Sequence, residues 1–171
     1  MSPSSGKRNR IPDGFSRMVA TFFYLGYIPV APGTVGALGG LLLYLLLDTA
    51  FPGFIPAVWA DLSWSYLLFL VVFFGLGVWT AGRAERAGGI KDAPEIVIDE
   101  AFSIFITFFL LPISLAVLIG GFLLNRLFDI RKPFPATLAE KVSGGGGIML
   151  DDLVSAVYSN IVLRLILLLT G

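Results

Sequence analysis

The chain alternates long apolar runs with short polar ones, and the lengths of the runs are those of membrane helices. Residues 15–28 gather Phe, Met, Val, Tyr and Leu around one charge, Arg17, a pattern that fits a helix lying in a membrane interface better than a crossing one. A breaker-dense stretch follows over residues 29–36, and the apolar run 37–47 predicts a short first span ending at Asp48. Residues 49–63 read as a loop whose far end, with Trp59 and Trp64, carries the aromatics of a membrane-water boundary. Residues 64–81 make the cleanest transmembrane helix, 83–98 a polar loop, and 153–170 a last span holding Asn160 and Arg164. Arg164 is expected either to snorkel towards the far interface or to face a carboxylate inside the bundle.

Residues 101–124 carry no charge, and would fit one tilted span or two short helices turning at Pro112. Charge decides between them. Outside the spans, basic residues number four in the N-terminal tail (Lys7, Arg8, Arg10, Arg17), three in the second loop (Arg83, Arg86, Lys91) and four in the last (Arg126, Arg131, Lys132, Lys141). A hairpin puts these eleven of twelve on one side, whereas a single span would divide the second and last loops between opposite faces, against the positive-inside rule. The prediction is an all-α integral membrane protein, a small bundle of about four to five transmembrane or re-entrant helices with an N-terminal interfacial helix. Residues 1–14 would be a basic, disordered cytoplasmic tail and residues 15–171 a single membrane-embedded domain.

Composition agrees with this and narrows the chemistry. Of 171 residues 56% are hydrophobic and 14% charged, against roughly 25% charged in soluble domains. There is no cysteine and no histidine, which excludes disulfides, thiolate nucleophiles, Cys/His zinc sites and imidazole bases. Chemistry falls to carboxylates, whose natural partners are the hard cations Mg²⁺, Mn²⁺ and Ca²⁺.

Four stretches are candidates. Asp99 and Glu100 abut the uncharged run, where acids need ligands or water, or simply favour a helix N-terminus. Arg126, Asp129 and Lys132 stand three apart, so a helix would align them as one stripe, either a phosphate-binding set or an interfacial anchor with an internal ion pair. Gly144 to Gly147 form a glycine run ahead of Asp151 and Asp152, which would cap the last helix or bind metal, while the glycine amides, Gly146 and Gly147 among them, face an anion. Gly33 and Thr34 lie in a Pro-Gly-Thr-Val-Gly turn that would contact phosphate or merely start a helix. Under the hairpin topology all four lie at one membrane surface.

In order and spacing these stretches, Ala31-Pro-Gly-Thr-Val-Gly36, Ile96-Val-Ile-Asp-Glu100, the run from Arg126 to Pro135 and Gly147-Ile-Met-Leu-Asp-Asp152, resemble the phosphatidylglycerophosphatase A family. The resemblance runs from about Phe22 to Tyr158 and departs at Ala37, Ser103 and Val157, all helical packing positions. It implies a Mg²⁺-dependent lipid phosphatase of the bacterial inner membrane, with its N-terminus and site on the cytoplasmic side. Such an enzyme removes the terminal phosphate of phosphatidylglycerophosphate to give phosphatidylglycerol. Asp99, Glu100, Asp129, Asp151 and Asp152 would hold one or two Mg²⁺, with Arg126, Lys132, Gly33, Thr34, Gly146 and Gly147 around the phosphate. Water activated by the cation would attack, with a spare carboxylate as base. No nucleic-acid partner is expected. The rival is a small cation or proton-coupled transporter, disfavoured because the acids gather at one surface instead of descending through the spans.

Overall fold

In the computed structural model of the chain, residues 14–139 and 142–170 are described; the basic tail, apart from Gly14, and Lys141 lie outside them. The described residues form α1 (Gly14–Ala20), α2 (Pro32–Ala50), α3 (Trp64–Gly88), α4 (Ile98–Thr107), α5 (Leu115–Arg131), α6 (Ala136–Ala139) and α7 (Gly145–Thr170), with short 3-10 turns at Leu25–Tyr27 and Trp59–Asp61 and no strand. By length and composition α2, α3 and α7 are able to cross a membrane. α4, with ten residues, is only about 15 Å long and stops short of a crossing.

The uncharged stretch is a hairpin. α4 and α5 are separated by residues 108–114, and the Ser114 hydroxyl caps α5 by accepting the Val117 N–H at 3.3 Å. Asn125 near the end of α5 donates to the hydroxyls of Ser103 at 3.1 Å and Thr107 at 3.0 Å on α4, which binds the two arms antiparallel. A Cβ on Gly121 of α5 would collide with the Phe108 ring, so the turn folds tightly on the returning arm.

Four helix boundaries differ from expectation, the first being that of α2, which starts at Pro32 inside the breaker-dense stretch and runs past Asp48 to Ala50. α3 runs on through Arg83, Glu85 and Arg86 to Gly88 and is capped by Gly89, whose φ of 64° is the left-handed stop that favours glycine. α7 begins at Gly145, inside the glycine run expected to be a loop. Here packing overrides the poor helix propensity of glycine. A Cβ on Gly145 would strike the Val78 carbonyl and come within 2.6 Å of the Gly82 nitrogen, so the missing side chain lets α7 start against the bare backbone of α3. The expected N-terminal helix also breaks early, as Phe22, Phe23 and Tyr24 take positive φ values and the Val97 N–H donates to the Ala20 carbonyl at 3.0 Å. Phe23, Tyr24 and Tyr27 remain exposed there, as an interfacial element requires.

α2 meets α4 through Gly36 and Gly40. Added Cβ atoms would lie 2.6 Å from the Val97 Cβ and 2.6 Å from the Ala101 Cα, the close approach a small-xxx-small pair permits between membrane helices. Further from this crossing, Tyr44, Phe69, Phe73, Phe102 and Phe105 pack ring on ring at 5.2–5.7 Å to form the core. The result is that α2, α4 and α7 begin, and α3 and α5 end, at one end of the bundle. Gly40→Val should lower detergent stability by about 1–3 kcal/mol, read from thermal melting, whereas Gly75→Val, with open space around it, should not.

Candidate active site

At that common end, three helices contribute acids. Asp99 and Glu100 sit in the first turn of α4, Arg126 and Asp129 in the last turns of α5, and Asp151 and Asp152 in the second turn of α7. The early start of α7 matters here, because it carries both aspartates past the capping position and leaves their role to the site.

One carboxylate oxygen from each of Asp99, Glu100 and Asp152 lies within 4.8 Å of the other two. Asp99 is 5% and Asp152 3% exposed, and Asp99 Oδ1, Glu100 Oε2 and Asp152 Oδ2 are buried without a hydrogen-bond partner among the described residues. Burial pushes the Asp99 carboxyl well above the usual carboxylate range, and the charges of Glu100 and Asp152 push it further. Glu100 is raised by burial too, with its contact to Asp99 and the nearby Arg126 pulling the other way. Orphaned acceptors this crowded fit a hard divalent cation, which takes several oxygens at once and removes their repulsion.

Around this triad the remaining charges are paired. Asp129 touches Asp152 and accepts from Arg126 Nη2 at 2.8 Å. Lys132 Nζ meets Asp151 Oδ2 at 2.7 Å, and the other Asp151 oxygen accepts the Asp152 N–H at 3.0 Å. Lys132 leaves the predicted stripe: it is the C-cap of α5 with φ 42°, and this left-handed turn carries it away from the helical row of Arg126 and Asp129 towards α7. Arg126 Nε and Nη1 are buried without partners among the described residues. The structure thus brings all five predicted acids and both predicted cations together.

The four phosphate-site candidates with short or absent side chains separate. Gly33, in the first turn of α2, faces Glu100 and Arg126: a Cβ there would collide with Glu100 Oε1 and lie 3.0 Å from Arg126 Nη2. Thr34 follows it, half-buried. Gly146 has open space where a Cβ would sit, while a Cβ on Gly147 would strike the Val142 carbonyl, so packing alone accounts for Gly147.

Residues 18–167 match the family described as Phosphatidylglycerophosphatase A. The chain belongs to that family. A protein of Haemophilus influenzae named phosphatidylglycerophosphatase A is 35% identical over 147 residues, 85% of this chain and 84% of the relative. The Escherichia coli K12 protein of the same name is 33% identical over 83% of this chain and 77% of its own length. A Bacteroides thetaiotaomicron protein with the provisional name phosphatidylinositol-3-phosphatase is 32% identical, covering 85% of this chain and 89% of the relative. No solved structure matches the chain.

Three supporting polar residues have partners that the sequence does not name: Asn160 and Arg164 stand out as polar positions in the last apolar span, while Asn125 carries no signal of its own beside Arg126. Arg164 meets no acid among the described residues; its guanidinium donates to Asn160 Oδ1 at 2.8 Å and to the carbonyls of Phe109 at 2.7 Å and Leu110 at 2.9 Å.

The crowding has a measurable sign. Saturating Mg²⁺ or Mn²⁺, at a hundredfold over its dissociation constant, should stabilise the native protein by about 2.7 kcal/mol in thermal melts. Asp152→Asn in chelator should melt no lower than the native protein, since it removes one repelling charge, and should respond little to the cation.

Proposed function

We propose that this protein is a phosphatidylglycerophosphatase of the bacterial cytoplasmic membrane, releasing inorganic phosphate from phosphatidylglycerophosphate to give phosphatidylglycerol. The observation that carries the reading is the buried triad Asp99, Glu100 and Asp152, its oxygens within 4.8 Å of one another, beside the two unpartnered donors of Arg126. Family membership and the names of the H. influenzae and E. coli relatives support the substrate. Arg17, Arg83, Arg86, Lys91, Arg126, Arg131 and Lys132 all belong to the segments at the site end, which supports a cytoplasmic orientation for it.

In this reading Asp99, Glu100 and Asp152 hold Mg²⁺. The bound cation supplies charge neutralisation at the phosphoryl group and acidifies a water. Arg126 donates Nε and Nη1 to phosphate oxygens, and Asp129, paired to its third nitrogen, fixes the plane of the fork. Lys132, anchored on Asp151, adds a positive charge at the opposite side of the doublet. Water attacks phosphorus as the bond to the glycerol oxygen breaks; a carboxylate of the cluster takes the water's proton and passes it to the leaving alkoxide. Gly33 keeps the start of α2 clear of Glu100 and Arg126, and the acyl chains stay in the bilayer.

Detergent-purified protein should release phosphate from phosphatidylglycerophosphate with Mg²⁺ and not in chelator, and Asp99→Asn with Asp152→Asn should abolish release. Gly33→Ala should lower kcat by about 10- to 100-fold through displacement of Glu100 and Arg126. Release that survives the double substitution would overturn the site, and faster release from phosphatidylinositol 3-phosphate would overturn the headgroup assignment.

A further inference from the structure

The turn between α4 and α5 is buried and polar at once. Thr107, Phe108, Leu110 and Leu111 are at most 3% exposed, and Leu110 is held at φ 54°. From the last residue of α4 onward the carbonyls of Thr107, Phe109 and Leu110 point into the bundle, walled by aromatic rings: Phe109 stacks on Tyr66 at 6.2 Å and meets Trp59 at 6.3 Å. Such carbonyls are costly to leave unpaired where water is excluded.

Two side chains of α7 take all three. Asn160 Nδ2 donates to Thr107 O at 2.9 Å and to Phe109 O at 2.9 Å. Arg164 Nη2 donates to Phe109 O and Leu110 O, and Arg164 Nε holds the Asn160 carbonyl so that its amide points the right way. The guanidinium also places a positive charge at the negative end of the α4 dipole.

The spacing turns this cap into a gauge. α4 and α7 both start at the site end and run away from it, so they are parallel neighbours. Asp99 and Thr107 are eight residues apart on α4; Asp152 and Asn160 are eight residues apart on α7. Both intervals are about 12 Å of helix. With Asn160 locked onto the Thr107 carbonyl at one end, Asp152 is brought level with Asp99 at the other. α4 is tied to α5 by Asn125 and at its start to Ala20 by the Val97 N–H, and the clamp adds the tie that fixes it along α7.

We propose that Asn160 and Arg164 are positioning residues for the candidate cation site: by clamping the α4 turn they set the axial register of α4 on α7, and with it the spacing of Asp99 and Glu100 from Asp152. The inference rests on the reading of that triad as a cation site, and it assigns Arg164 no contact with substrate.

The test is direct Mn²⁺ binding by detergent-purified protein, followed through the electron paramagnetic resonance of free Mn²⁺, alongside melting temperature and the Mg²⁺ dependence of phosphate release. Arg164→Met and Asn160→Leu should weaken Mn²⁺ binding by about tenfold and lower kcat with KM for lipid unchanged. Arg164→Lys keeps the charge at the turn but loses the fork; it guards against loss of the fold, and its Mn²⁺ affinity should fall between native and Arg164→Met. Leu165→Ala, on the exposed face of the same turn of α7, should change nothing. A merely structural clamp would lower the melting temperature and the active fraction while the folded remainder bound Mn²⁺ as the native protein does, and that result would overturn the proposal. A native protein that bound no Mn²⁺ would instead remove the triad reading beneath it.

Discussion

Repulsion among carboxylates is the constraint on which the rest of this structure turns. Five acids meet at the end of an apolar bundle, three of them with oxygens inside 4.8 Å of one another and two nearly sealed from solvent. Left alone, such a cluster would protonate or open. Arg126 and Lys132 each neutralise one outer acid, which leaves the inner triad as the place where positive charge is still missing. The charges on the end of α5 are therefore counterparts to those on α4 and α7, and the hairpin exists to bring them back to the surface where α4 began.

Closeness of this kind demands close backbones. Gly33, Gly36 and Gly40 form one stripe on α2 that admits α4, and Gly82 with Gly145 lets α3 and α7 touch. In hydrocarbon, helices gain little from hiding apolar side chains from one another, so contact area and hydrogen bonds have to hold them. Asn125, reaching Ser103 and Thr107 across the hairpin, and Asn160 with Arg164, reaching the turn, are the polar part of that cohesion.

Much of this was legible in sequence, for identifiable reasons. Apolar run length reveals spans because a bilayer has a fixed thickness, and the placement of Lys and Arg chose a hairpin over a single crossing because the charge rule acts on whole loops. Paired acids beside uncharged runs drew attention to Asp99, Glu100, Asp151 and Asp152 for a local reason, the expense of a charge at that depth. What stayed hidden depends on distant partners. Gly145 reads as a loop residue until α3 is seen lying against it. Lys132 falls on a helical stripe only if the helix continues, and its left-handed turn sends it to Asp151 instead. Arg164 reads as a residue that snorkels or meets an acid, and the carbonyls it serves belong to a turn 54 residues earlier, to which no side-chain pattern points.

That last separation bears on how the protein is made. Chains emerge from the ribosome N-terminus first. α4 and α5 are therefore complete while the helix that takes up the three turn carbonyls is still unsynthesised, so during that interval the turn has to stay near water or be shielded by other means. α7 brings two of the acids and the clamp on one rigid rod. α7 then both seats the hairpin and closes the ring of charge, so the site cannot form before that helix is in place.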